Sequence, residues 1–327
     1  MEKEKVLEIV DLQKLYPLKA TSINPFRKAR YIRALDGISF NIYKDEILGL
    51  AGESGCGKTT IGSILAGLYD QTKGTVYYRG QDVSRLRGES RKLWKHDIQM
   101  IFQDPFNSLN PRFTVYRNVA EPLRIRGLDK TENEADMVSR ALEAVELRPA
   151  DLYLRRFPHQ LSGGQRQRVS LARCVVTRPK VIIADEPVSM LDVSIRAAFL
   201  ELLKELQQTR GLNVVYISHN LSEIRYISQR MAVVYLGKIM EIGATGKVID
   251  GPKHPYTKRL ISAVPIIDPD RTRERTKTAG VKPDLWNLPA GCRYQSICPR
   301  AFAECRLREP ELLKLDSDHY VACHLYK

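Results

Sequence analysis

Gly52-Glu53-Ser54-Gly55-Cys56-Gly57-Lys58-Thr59 matches the phosphate-binding pattern G-x-x-x-x-G-K-[ST] at every defined position. The apolar run Ile47-Leu48-Gly49-Leu50 before it is short enough for a buried strand, and Ile61, Ile64, Leu65 and Leu68 recur at helical spacing after it. Strand, glycine loop and helix are the context this motif requires. The glycines let successive N–H groups turn toward phosphate oxygens, and the helix N-terminus adds partial positive charge. Lys58 is expected to reach the β- and γ-phosphates, and the Thr59 hydroxyl to ligate Mg2+.

Four more polar residues stand where predicted strands end. Gln103 follows Ile98–Phe102, Asp185 and Glu186 follow Val181–Ala184, and His219 follows Val214–Ser218. In an open α/β sheet such positions face the ligand crevice. Adjacent carboxylates at a strand end are costly unless they meet something positive. Asp185 therefore suits Mg2+, directly or through water, and Glu186 suits a general base that polarises water for in-line attack. Gln103 can touch the metal or that water. Further along, Leu161-Ser162-Gly163-Gly164-Gln165 opens an amphipathic helix and offers a second anion site, although a plain Ser-Gly helix cap also accounts for it.

Length and composition set the frame for these residues. The chain has 327 residues, enough for one large α/β domain with an appendage or for two modest domains, and 43% apolar and 28% charged residues are those of an ordinary globular protein. No apolar run approaches the length of a bilayer span, and Met1–Val10 lacks a signal-peptide core, so a cytosolic protein is expected. The charge of +14 is scattered, with concentrations at 27–33, 85–95 and 271–277. Without a basic stripe interleaved with aromatics, it suits an anionic membrane face better than nucleic acid. Residues 6–12 and 37–42 read as strands, and a basic insertion spans 19–33. Tyr16 is the first candidate for stacking on adenine and Tyr31 the second. Residues 104–160 turn helical, with Thr131-Glu132-Asn133-Glu134 as a capping box and Ala135, Val138, Leu142 and Val145 on one face.

Taken in order, these elements resemble the nucleotide-binding subunits of ABC transporters. Walker A lies at 52–59, Gln103 follows, LSGGQ stands at 161–165, Walker B at 181–186, Ser189-Met190-Leu191-Asp192 is the D-loop and His219 the switch histidine. The resemblance covers about 6–250 and narrows further. IFQDPFNSLNPR (101–112), ISHNLSEIRYIS (217–228), YLGKIMEIG (235–243) and HPYTKRLISAVP (254–265) resemble the dipeptide/oligopeptide importer ATPases, and the insertion before Ala34-Leu35-Asp36-Gly37 resembles their F-type member. Asn220 stands where that family usually has Asp, and Met190 where it often has Ala.

The resemblance implies a P-loop NTPase cassette: a RecA-like core, an antiparallel β subdomain and a helical subdomain at about 104–175. Residues 1–250 are then the ATPase domain and 251–327 an importer-type extension. Tyr16 and the run Gly52, Glu53, Ser54, Gly55, Cys56, Gly57, Lys58, Thr59 and Thr60 are expected to bind ATP, while Thr59, Gln103 and Asp185 hold Mg2+. Glu186, His219 and Gln103 are the expected catalytic residues. Ser162, Gly163, Gly164, Gln165 and Asp192 are expected to contact ATP held by a partner subunit. The implied partners are a D-type ATPase subunit, two transmembrane permease subunits and, indirectly, an extracytoplasmic solute-binding protein, with no nucleic acid. The implied place is the cytoplasmic face of the membrane and the implied cargo peptides or related solutes such as oligosaccharides. The alternative is a soluble ABC ATPase acting on nucleic acid or ribosomes.

Of six cysteines, Cys56 and Cys174 lie within the ATPase motifs. Cys292, Cys298, Cys305 and Cys323 crowd into the last 36 residues as C-x5-C-x6-C-x17-C. In a cytosolic chain four thiolates suit tetrahedral Zn2+ or an iron–sulfur cluster, with unliganded thiols as the remaining alternative. The absence of a short C-x2–4-C knuckle favours [4Fe–4S], and the importer resemblance points the same way.

Overall fold

The computed structural model describes residues 3–18, 30–104, 108–127, 133–263 and 288–326. Outside them lie most of the basic insertion, Pro105–Asn107 of the loop after Gln103, Thr131 and Glu132 of the expected capping box, the last two residues of the 254–265 motif, and the basic cluster at 271–277.

In chain order the first strands are β1 (Lys5–Pro17), β2 (Tyr31–Tyr43), β3 (Ile47–Ala51), β4 (Lys73–Tyr78), β5 (Gln81–Asp82) and β6 (Ile98–Ile101). They are followed by β7 (Val181–Asp185), β8 (Asn213–Ser218), β9 (Arg230–Tyr235), β10 (Lys238–Ala244), β11 (Leu313–Asp316) and β12 (His319–Val321). One sheet is antiparallel in the order β2-β1-β4-β5, and the other runs β11-β12-β10-β9-β3-β8-β7-β6. Every residue of β3, β7, β8 and β9 is buried. Such continuous apolar runs belong inside a parallel sheet covered on both faces, and β9, β3, β8, β7 and β6 are indeed parallel neighbours.

This order positions the site. β3, β8, β7 and β6 stand side by side, with Ala51 opposite Ser218, Asp185 opposite Ile217 and Ile101 opposite Ala184. Their carboxyl ends therefore deliver the glycine loop, His219, the two carboxylates and Gln103 to one edge. Leu7, Ile9, Leu12 and Val76 of the antiparallel sheet share a core with Leu48, Leu50, Val215 and Ile217 of the parallel one.

Between β6 and β7 the described chain is helical: Val115–Ile125, Glu134–Ala144, Asp151–Leu154 and Gly163–Val175. Their apolar faces, with Val119, Leu123, Val138, Leu142, Val169 and Leu171, join the core beside β7 and β8. Two local expectations are corrected. Asn133 caps the second of these helices, its side chain accepting from the Ala135 N–H. The buried stripe there is Met137, Val138, Ala141 and Leu142, with Ala135 exposed, because the helix starts at Glu134 and its inner face is set by the i, i+4 pairs that follow.

The C-terminal residues are built onto the same sheet. β12 pairs antiparallel with β10, and β11 pairs with β12 at the edge. Glu241, fully buried on β10, accepts from the Lys253 and His254 N–H groups at 2.8 and 2.9 Å and lies 2.6 Å from His319 Nε2. One carboxylate thus holds both the turn before the helix Pro255–Ser262 and the returning strand β12. His254 caps that helix, with Nδ1 accepting from the Tyr256 N–H at 3.0 Å.

Burial lowers the His254 imidazole from 6.5 to about 3. The unfolded chain therefore takes up this proton first, so the stability from a neutral His254 is complete above about pH 6.5 and is lost as pH falls toward 3. Between about pH 7 and pH 4.5 the loss should be on the order of 2–3 kcal/mol. His254→Asn keeps a cap acceptor and should flatten that slope when urea midpoints are compared across this range. An unchanged slope would contradict the assignment.

Candidate active site

The loop between β3 and the helix Lys58–Leu65 is shaped by two backbone constraints. At Gly52 φ is +153° and an added Cβ would lie 2.3 Å from the Val234 carbonyl oxygen. At Gly57, the N-cap, φ is +111° and a Cβ would lie 2.6 Å from the Ala34 oxygen. Both neighbours are main chain and cannot yield. Inside the loop the Lys58 ammonium, 5% exposed, donates to the carbonyls of Gly52 at 2.7 Å and Glu53 at 3.0 Å. Cys56 packs 3.8 Å from it, its thiol raised chiefly by burial.

Facing the loop is a carboxylate node. Gln103 Nε2 donates to Glu186 Oε2 at 3.2 Å, and His219 Nδ1 lies 3.0 Å from Glu186 Oε1. Glu186 itself has φ +44°, a left-handed conformation unusual for a side chain of this size, and its N–H donates to the Ile217 carbonyl of β8. Backbone strain is thus spent to aim this carboxylate into the crevice. Asp185 is buried, its carboxyl raised by desolvation against the lowering effect of the facing Thr59 hydroxyl. Its Oδ1 has no hydrogen-bond partner among the described residues. A buried acceptor without a partner, beside a hydroxyl and below a phosphate loop, fits a divalent cation. Loop, Gln103, Glu186 and His219 line one cavity of about 640 Å3, which Ile32, Ala34 and Leu260 complete on its apolar side.

Comparison with known proteins places this geometry. The ABC transporter family model matches residues 35–189, and the model for the oligopeptide/dipeptide transporter C-terminal region matches 240–305. The oligopeptide transport ATP-binding protein AppF of Bacillus subtilis is 43% identical over 326 residues, covering 99% of this chain and 98% of that protein. The chain belongs to the oligopeptide/dipeptide family of ABC transporter ATPases. The dipeptide transport ATP-binding protein DppF of Escherichia coli is 42% identical over 318 residues, 97% of this ABC ATPase and 93% of its own length. Among solved structures, a dimeric ATP-binding cassette in a post-hydrolysis state with ADP and Pi superimposes with a TM-score of 0.62 at 28% identity, covering 73% of this chain and 98% of that one. These relatives do not favour the reading as an ATPase acting on nucleic acid or ribosomes.

The ABC ATPase fold brings together only part of the expected site. Gly52–Gly55, Gly57–Thr60, Gln103, Glu186 and His219 share the cavity. Tyr16 lies outside its lining, packing edge-on against Tyr69 at 6.3 Å beneath Lys14, and Tyr31 is exposed on β2. Ser162–Gln165 do not line the cavity either. Ser162 accepts from the Gln165 N–H and Gln165 Oε1 accepts from the Ser162 N–H, a reciprocal cap on the helix Gly163–Val175. Asp192 leads the helix Val193–Arg210 without capping it, flanked by the exposed apolar residues Met190 and Val193. Sequence reasoning missed Leu260, Ile32 and Ala34; no polar signature marks an apolar wall.

The cysteine expectation requires correction. Cys292, Cys298, Cys305 and Cys323 share one neighbourhood, and the Cys292 N–H donates to the Cys305 carbonyl. Yet among the described residues no three His, Cys, Asp or Glu side chains are placed to hold a metal ion. Burial raises Cys292, Cys298 and Cys323, Cys292 up to about 11, and neighbouring thiols add to each rise. Neither [4Fe–4S] nor Zn2+ is supported by this arrangement.

Gly52→Ala should cost about 2 kcal/mol or more, since left-handed strain and overlap with the Val234 carbonyl act together. Chemical denaturation without nucleotide measures it, and a midpoint equal to wild type would contradict the close approach.

Proposed function

We propose that this chain is the F-type ATPase subunit of a peptide importer, paired with a D-type ATPase and seated on two permease subunits at the cytoplasmic face of the membrane. Peptides or related solutes, oligosaccharides among them, are the cargo class. Among the described residues no helix is long and apolar enough to cross a membrane, so attachment in this reading runs through the permeases. The observation that carries the chemistry is the convergence of the phosphate loop, Gln103, Glu186 and His219 on one cavity.

In this reading the loop N–H groups and Lys58 bind the β- and γ-phosphates of ATP. Thr59, Gln103 and Asp185 would hold Mg2+, which when bound neutralises charge on the phosphate oxygens. Glu186 accepts the proton of a water whose oxygen attacks the γ-phosphorus, and the bond to the ADP oxygen breaks in line. Both Glu186 oxygens are engaged, one by Gln103 and one by His219. Freeing one oxygen for water while His219 orients the other is the change that ATP and the partner subunit must bring about. Ser162, Gly163, Gly164, Gln165 and Asp192 serve the partner's ATP, which agrees with their exclusion from the local cavity.

Glu186→Gln should retain nucleotide binding and lower turnover by at least about a hundredfold, the worth of a general base. An isolated subunit or assembled importer hydrolysing ATP at the wild-type rate after this change would sink the assignment.

A second surface suits the permeases. Leu68, Phe102, Pro122 and Ile125 line a cleft between the parallel sheet and the helical segment, and Leu68, Tyr69, Leu93, Phe102 and Ile125 are exposed large apolar residues. Such a patch on a globular chain marks a partner surface. Ile125→Glu, at a position 78% exposed, should leave stability within about 0.5 kcal/mol and ATP binding intact while abolishing co-purification with the permeases. Full retention in the complex would move the docking surface elsewhere.

A further inference from the structure

The helix Pro255–Ser262 lies in the segment expected to be an appendage, yet it reaches the phosphate loop. The Glu53 N–H donates to Tyr256 Oη at 3.1 Å, Arg259 Nη2 lies 3.8 Å from Glu53 Oε1, and Leu260 lines the nucleotide cavity. We propose that this helix is a wall of the nucleotide site and that Tyr256 is a positioning residue for the phosphate loop. The inference rests on the ATP-binding reading and adds a residue to it.

A single peptide group is held from both sides. Its carbonyl is that of Gly52, which accepts from Lys58; its N–H is that of Glu53, which donates to Tyr256. Lys58 on one side and Tyr256 on the other fix the plane of this peptide. That N–H has no acceptor within the loop, and the Tyr256 hydroxyl supplies one. The Tyr256 ring has no freedom to drift: it is fully buried, 4.5 Å from Tyr235 and 5.4 Å from Tyr294 between ring centroids. Tyr235 ends β9, the neighbour of β3, so the phenol is referenced to the same sheet that launches the loop. Glu241 with His254 fixes the start of the helix. A loop whose first peptide is held before phosphate arrives spends less binding energy on ordering itself.

Tyr256→Phe keeps the ring stack and removes only the acceptor. Calorimetric titration of the full chain with ATP and with ADP should show both Kd values raised by about three- to tenfold, the worth of one hydrogen bond. The unfolding midpoint without nucleotide should stay near wild type, and kcat at saturating ATP should change by less than about twofold, a split that a merely structural role would not produce. Unchanged Kd values would overturn the proposal. Should the variant be unstable, hydrogen exchange on the wild-type chain decides: ATP should slow exchange across 255–262, and no change there would overturn it. A wild-type chain that bound neither nucleotide would instead contradict the ATPase reading on which the inference rests.

Discussion

Lys58 is an ammonium group almost out of contact with water, satisfied by two carbonyls of its own loop and, among the described residues, in direct ion pair with no carboxylate. A buried cation with no direct ion pair is unfavourable in a folded protein unless an anion is coming. Much of the architecture follows from making that state tolerable. β3 must end where its carbonyls can turn onto the ammonium, and two positions must be glycine so the loop can pass under Val234 and Ala34. The anionic ligand then completes a site already built, and folding energy has been spent in advance on orienting the groups it meets.

The same logic applies on the opposite side of the crevice. Glu186 is aimed by a left-handed backbone and held at both oxygens, while Asp185 keeps a buried oxygen with no partner. One carboxylate is restrained and the other awaits a cation. Ser162 and Gln165 cap each other at the start of the helix Gly163–Val175, outside this cavity. In the reading proposed, their anion is held by another subunit, and ATP becomes the contact that joins two incomplete sites.

Much of this was legible before the fold, because the signals were local and redundant. Strand, glycine loop and helix can be read within twenty residues, and the buried strands β3, β7 and β8 announce themselves as unbroken apolar runs. Strand-end position alone was enough to bring Gln103, Glu186 and His219 to one crevice. What was not legible depends on distant parts of the chain. Nothing near Tyr256 indicates that its hydroxyl meets the N–H of Glu53, some two hundred residues earlier. Nor does cysteine spacing reveal that burial raises Cys292, Cys298 and Cys323, or that among the described residues no three such side chains are placed to hold a metal ion. The apolar cavity wall of Ile32, Ala34 and Leu260 likewise has no pattern to announce it. Ala135 was misplaced because the helix begins at Glu134, a boundary that periodicity does not resolve.

The central claim is that this chain holds one half of a nucleotide site and lends the other half to its partner. A structure of the assembled transporter, trapped with ATP and Mg2+, tests it most directly. The account predicts that Lys58 leaves the Gly52 and Glu53 carbonyls for the phosphates, and that Ser162 and Gly164 meet the γ-phosphate of the ATP on the adjacent subunit. ATP contacted by a single chain, with Ser162 and Gly164 turned to solvent, would contradict it.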